Sequence, residues 1–353
     1  MFYSSASRED VSYNARLARY QVEQFLPLLG EVSRPRIREF EVRAVSPGVV
    51  QEATTLSKDV KQVLVDRFHR VAFRGAGLGL PISPLSARAS LSAAQWTKVA
   101  REYVDNYLVK ERAVLVLTGF DSKEVAPLVT QALACLPSGK AERAASIPYS
   151  GGEHMGDKGG KSHLLIGFEG LPLLSPKLHA INLIFTILGG GQKYDRDGPG
   201  NGKTSLLNRN LVEKHHNVLS ASTYNASYSD TGLFGVYVQA DGELSGVVEA
   251  VLEQLQSIQN VTEEQLELAK RQLKLHIYND YSTTEKRVEL SRRFVVAGGQ
   301  PICFHHFALA VDQISLQDLK QTAKSVFSSK PCLITEGDIQ GVKGIDYITS
   351  KLK

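Results

Sequence analysis

Ile314-Ser315-Leu316-Gln317-Asp318 and, far upstream, Leu91-Ser92-Ala93-Ala94-Gln95 carry the same signal. In each, a serine stands three residues before an acid or amide, the pattern by which two side chains and two backbone N–H groups cap a helix start reciprocally. Apolar residues at helical spacing follow and predict helices to about Phe327 and Tyr107. After each helix comes a short apolar strand, Cys332 to Thr335 in one place and Ala113 to Thr118 in the other. The strands run into Gly337-Asp338 and Gly119-Phe120-Asp121.

Working outward, further pairs keep the same register. Arg67-Phe68-His69-Arg70-Val71 leads to Leu80-Pro81-Ile82, as Arg292-Arg293-Phe294-Val295-Val296 leads to Gln300-Pro301-Ile302. The alternating stretch Val11 to Arg19 reads as a strand and matches Leu233 to Ala240, each with a helix after it, Leu244 to Ile258 in the later copy. A common offset of about 220 residues marks an internal duplication. The second copy has an opening strand (His163 to Phe168), a helix (Pro176 to Leu188), a glycine-rich loop, a helix (Thr204 to Val212) and a strand (Val218 to Ser227). In the first copy too few residues precede Val11 to hold that unit, so its first domain is expected to be truncated at the N-terminus.

Short strands separated by amphipathic helices predict an α+β fold: two duplicated domains, each a mostly antiparallel sheet with helices on one face. The expected division is 1–140, a linker over 141–160 rich in polar residues and glycine, and 161–353. The strongest single helix is expected from Glu263 to Asp280, capped by Thr262 with Gln265, its Leu266, Ala269, Leu273 and Ile277 on one face. Ser229-Asp230-Thr231-Gly232 reads as a tight turn joining two strands into a hairpin.

With 353 residues, 42% apolar and 22% charged, the chain can bury two ordinary cores. No apolar run is long enough to cross a bilayer. A net charge of +4 without a basic stripe argues against nucleic-acid binding. Cys135, Cys303 and Cys332 are odd in number and widely spaced, which suits neither a disulfide framework nor a zinc knuckle. The N-terminus is Ser- and Arg-rich like a mitochondrial transit segment, yet Glu9 and Asp10 oppose that reading and the strand is preferred.

The loudest local feature is the loop Gly189 to Thr204. Its end, Gly202-Lys203-Thr204, invites a phosphate-loop reading, but position 197, where that motif needs glycine, is Asp. A mobile surface loop and a flap offering backbone hydrogen bonds to an extended peptide both remain open. Neither His-Glu-x-x-His nor His-x-x-Glu-His occurs, and the adjacent pairs His215-His216 and His305-His306 diverge on any regular element. No metal, no cofactor and no catalytic residue is expected.

The run Gly189-Gly190-Gly191 through Gly198-Pro199-Gly200-Asn201-Gly202 to Ser205-Leu206-Leu207 resembles the glycine-rich loop of alpha-type mitochondrial processing peptidase subunits. The hairpin Tyr224 to Tyr237 is similar to those subunits and more so to the core 2 type of ubiquinol–cytochrome c reductase, respiratory complex III. Leu78-Gly79-Leu80-Pro81-Ile82 and Gly337-Asp338 fit as well. The chain thus resembles the pitrilysin-type zinc peptidases. The resemblance implies two domains closing like a clam shell, in a non-catalytic subunit without the zinc motif. Glu39 or Glu41 lies about where active members carry a further Glu. It implies a place on the matrix side of the mitochondrial inner membrane, with a core 1 or beta-type subunit and other complex III subunits as partners. The alternative is a presequence-guiding role for Gly189, Gly190, Gly191, Gly198, Gly200 and Gly202.

Overall fold

The computed structural model describes residues 2–82, 91–134, 136–140, 145–157, 160–193 and 204–352. Its strands are β1 (Phe2–Ala6), β2 (Val11–Ala15), β3 (Gly152–Asp157), β4 (Ser162–Glu169), β5 (Gly190–Gln192), β6 (Val218–Ser227), β7 (Gly232–Ala240) and β8 (Cys332–Gly337). The first five helices are α1 (Val22–Val32), α2 (Glu39–Leu56), α3 (Val60–Ala72), α4 (Ala93–Tyr107) and α5 (Ser122–Ala134). The rest are α6 (Leu178–Leu188), α7 (Val247–Ser257), α8 (Glu263–Ser282), α9 (Thr284–Val296), α10 (Phe304–Asp312), α11 (Leu316–Phe327) and α12 (Ile345–Leu352).

The expected caps form. Ser92 accepts from the Gln95 amide at 3.3 Å and Gln95 Oε1 accepts from the Ser92 amide at 2.8 Å. Ser315 and Asp318 do the same at 3.1 and 3.0 Å, and Thr262 and Gln265 at 3.3 and 3.0 Å. These bonds satisfy amides that an α-helix start leaves without intrahelical partners.

Two compact units result, and each draws on both halves of the sequence. The first comprises 1–58, 82–145 and 283–296; the second comprises 59–81, 146–282 and 297–353. Helix α3 therefore belongs to the second unit and α9 to the first.

In the second unit six strands run in the order β3-β8-β4-β7-β6-β5, antiparallel except for the β3–β8 pair. Alternation of side chains along β4 and β7 sends Phe168 and Phe234 to one face, where both meet Phe327 of α11. Leu165, Leu233 and Tyr237 point to the other face and join Cys332 and Ile334 in a core closed by Leu64, Phe68, Ala72 and Phe73 of α3 and the residue after it. The expected helix layer thus covers one face, and one helix from the first half covers part of the other.

The hairpin β6–β7 closes where the turn was expected, with the Tyr228 amide donating to the Thr231 carbonyl at 2.8 Å. Gly232 starts β7 because the backbone crowds it: a Cβ there would lie 2.5 Å from the Leu171 carbonyl oxygen. The helix expected over Thr204 to Val212 differs. Its second part, Asn208–Val212, is wound as a π-helix.

The first unit has a smaller sheet, β1 paired antiparallel with β2. By the repeat, β2 answers to β7, and β1 pairs with it as β6 pairs with β7. Ala113 to Thr118, expected as a strand, is not one. Its counterpart β8 is held on both sides, by β3 and β4. Among the described residues nothing in the first unit plays the part of β4, and an apolar segment without a ladder partner has no sheet to join. A small core of Val22, Leu26 and Ala132 holds α1 to α5.

Candidate functional site: the start of the glycine-rich loop

Helix α6 ends at Gly189, whose φ of 57° is costly for any residue with a Cβ. The carbonyl of Gly189 accepts two bonds from Thr223, one from its amide at 2.9 Å and one from its hydroxyl at 2.7 Å. Gly190 and Gly191 then run along β6 as the edge strand β5, in register with Ser222 and Ala221. A Cβ on Gly190 would sit 2.5 Å from the Ala221 carbonyl oxygen, and one on Gly191 would collide with the Asn208 carboxamide. Three consecutive glycines are therefore required by close packing at the strand's start.

Asn208 is itself held, through its amide hydrogen bond to Glu213 at 2.9 Å. The Ser205 hydroxyl donates to the Gly190 carbonyl at 3.2 Å, and the Lys193 amide donates to the Leu219 carbonyl at 2.9 Å. Antiparallel alternation then turns the backbone of Gln192 away from β6, toward the outer edge of the sheet, where no further described strand pairs. Such an edge can take an extended peptide by main-chain hydrogen bonding. Gly198, Gly200 and Gly202 lie outside the described residues, as do Asp195, Asp197 and Cys135.

A second polar group, which no sequence motif announced, lies on the α3 side of the same sheet. The Tyr237 hydroxyl and His163 Nδ1 share a hydrogen bond of 2.7 Å. Lys61 Nζ donates to the Ser222 hydroxyl at 3.0 Å and stands 5.2 Å from the centre of the Tyr237 ring. Burial, aided by the charge of Asp59, pushes the Tyr237 phenol up to about 12. Burial and the nearby Lys161 push the His163 imidazole below its ordinary value. The pair is thus held neutral. It is a positioned donor and acceptor.

Glu39 and Glu41 have structural work. Glu41 accepts from the Arg38 amide at 2.9 Å at the start of α2, and Glu39 pairs with Arg43 at 2.9 Å one turn on. Among the described residues, no three His, Cys, Asp or Glu side chains are grouped to hold a metal ion. No described helix is long and apolar enough to cross a membrane.

Residues 98–273 match the family model described as the peptidase M16 inactive domain. The chain is 25% identical over 359 residues to mitochondrial-processing peptidase subunit alpha-2 of Dictyostelium discoideum, covering 99% of this chain and 78% of that one. It is 24% identical to cytochrome b-c1 complex subunit 2 of Mus musculus, covering 98% and 75%. Among solved structures it matches a chain of complex III2 from Candida albicans with Inz-5 bound. That match has a TM-score of 0.81 and 16% identity, and covers 99% of this chain and 85% of that chain. The fold seen here is that of the matched chain, and the relatives fall on both the processing-peptidase alpha and the b-c1 subunit 2 side. The chain therefore carries, over residues 98–273, the inactive domain of the peptidase M16 family.

Proposed function

We propose that this chain is a non-catalytic, core 2-type subunit of mitochondrial respiratory complex III. It would sit on the matrix side of the inner membrane, against a core 1 or beta-type subunit and other subunits of the complex. The observation that carries a structural role is the surface of α2. In the second unit, α8 buries Ala269 and Leu273 and packs against α6. With the first residues of α2 and α8 aligned, Val45 and Val49 stand at those places, and Val45 is 61% exposed with Phe40 at 64%. Apolar surface of this kind marks a chain that works inside an assembly. The absence of a zinc motif from the sequence agrees with a role that needs no chemistry. As a unit of duplication, the proposed boundary between 1–140 and 161–353 falls within 141–160.

The second reading is an alpha-type processing peptidase subunit, and the strand β5 favours it, since its edge can hold a peptide and opens the loop Gly189 to Gly202. Against it, Lys193, Arg196 and Lys203 offset Asp195 and Asp197 in the loop, where a basic presequence would need an acidic field. A native gel of detergent-solubilised mitochondria, probed for this chain and stained for haem, separates the two. Co-migration with the haem-stained complex is expected. A haem-free soluble heterodimer would move the assignment to the processing peptidase.

A further inference from the structure

Each unit includes one helix from the other half of the sequence, and the two helices are held by different chemistry. Helix α3 buries Leu64, Phe68, His69 and Ala72 in the second unit. Helix α9 buries no residue fully in the first. Its apolar residues Val288, Leu290, Phe294, Val295 and Val296 are only half-buried, and two ion pairs stand near its ends. In the first turn Glu285 pairs with Arg16 at 2.9 Å; both are well exposed, and exposed pairs contribute little. Near the last turn Arg292 pairs with Asp10, just ahead of β2, with side chains only 16% and 18% exposed. A pair so far withdrawn from water leaves an uncompensated charge when one partner is removed.

A segment whose apolar residues are only half-buried opens locally at lower free energy than one built into a core. We infer that α9 is an ionic strap on the first unit, latched by Arg292 and Asp10 and able to open on its own. Helix α3, by contrast, is released only when the second unit unfolds. The inference stands on these contacts alone and does not depend on the assembly role proposed above.

Hydrogen–deuterium exchange on the full chain tests it. Residues 284–296 are expected to exchange at least about tenfold faster than residues 60–72. Asp10→Asn, which removes the charge and keeps the shape, is expected to speed 284–296 about tenfold further and leave 60–72 unchanged. Equal protection of the two helices in the wild-type chain, or no response of 284–296 in the variant, would overturn the inference. Should Asp10→Asn not fold, the wild-type comparison of 284–296 with 60–72 decides by itself.

Discussion

The ring of Phe68, on α3, lies against the backbone of Gly167 at the centre of β4, in the space that a side chain at 167 would fill. Helix and sheet meet there without a gap, and the contact ties residues far apart in sequence. Gly167→Ala is expected to drive Phe68 out of its place and to cost about 1–3 kcal/mol or more, as overpacking does. Phe68→Ala should cost about 3–5 kcal/mol by leaving a cavity. Urea midpoints of the two variants against wild type check both, and a neutral Gly167→Ala would mean that the contact is slack.

A second tie from the same helix is polar. His69 Nδ1 lies 2.7 Å from the Val65 carbonyl, which can only accept, so Nδ1 carries the proton and Nε2 accepts from the Tyr228 hydroxyl at 2.6 Å. His69 is buried, and Tyr228 stands in the β6–β7 turn. Tyr228→Phe leaves Nε2 without that donor, and a loss of about 1–3 kcal/mol is expected in the same unfolding measurement.

Acid should weaken the second unit through its histidines. His163 and His179 are both pushed below the ordinary imidazole value of 6.5, chiefly by burial. The unfolded chain then binds protons that the folded chain refuses, so stability is full above pH 6.5 and falls as the pH drops below it. Thermal unfolding of the wild-type chain between pH 7.5 and pH 5 is expected to show this fall. His163→Gln and His179→Gln together should flatten it, and a slope unchanged in that double variant would assign the effect to other groups.

Helix starts offer a smaller, cleaner test. The Ser315 hydroxyl accepts from the Asp318 amide at 3.1 Å and is exposed, so its removal disturbs little else. Ser315→Ala is expected to cost about 1 kcal/mol. Ser92→Ala, at the matching place on α4, should cost a similar amount in the first unit.

These caps were legible because a capping box is local: four residues decide it. The hairpin β6–β7 and the strands β4 and β8 were legible for the same reason, through alternation and turn residues. The placement of α3 was not, because Phe68 finds Gly167 only after the chain has folded back across about 100 residues. Ala113 to Thr118 has the composition of a strand and misled the reading, since a strand is made by its neighbours as much as by its own residues. Of the candidate site, Gly189, Gly190 and Gly191 announced themselves by composition. Their reason, the close approach of Ala221 and Asn208, could be read only from the structure. The His163–Tyr237 pair gave no signal, because two residues on different strands share no motif.

The place of α3 also sets an order of events during synthesis. Leu64 and Phe68 leave the ribosome roughly 260 residues before β8, so at about 5–20 residues per second they wait on the order of 13–50 seconds for the sheet they will cover. Through that interval the helix is a greasy, unpaired segment on a nascent chain. Residues 60–73 are where a chaperone holding the growing chain is expected to bind.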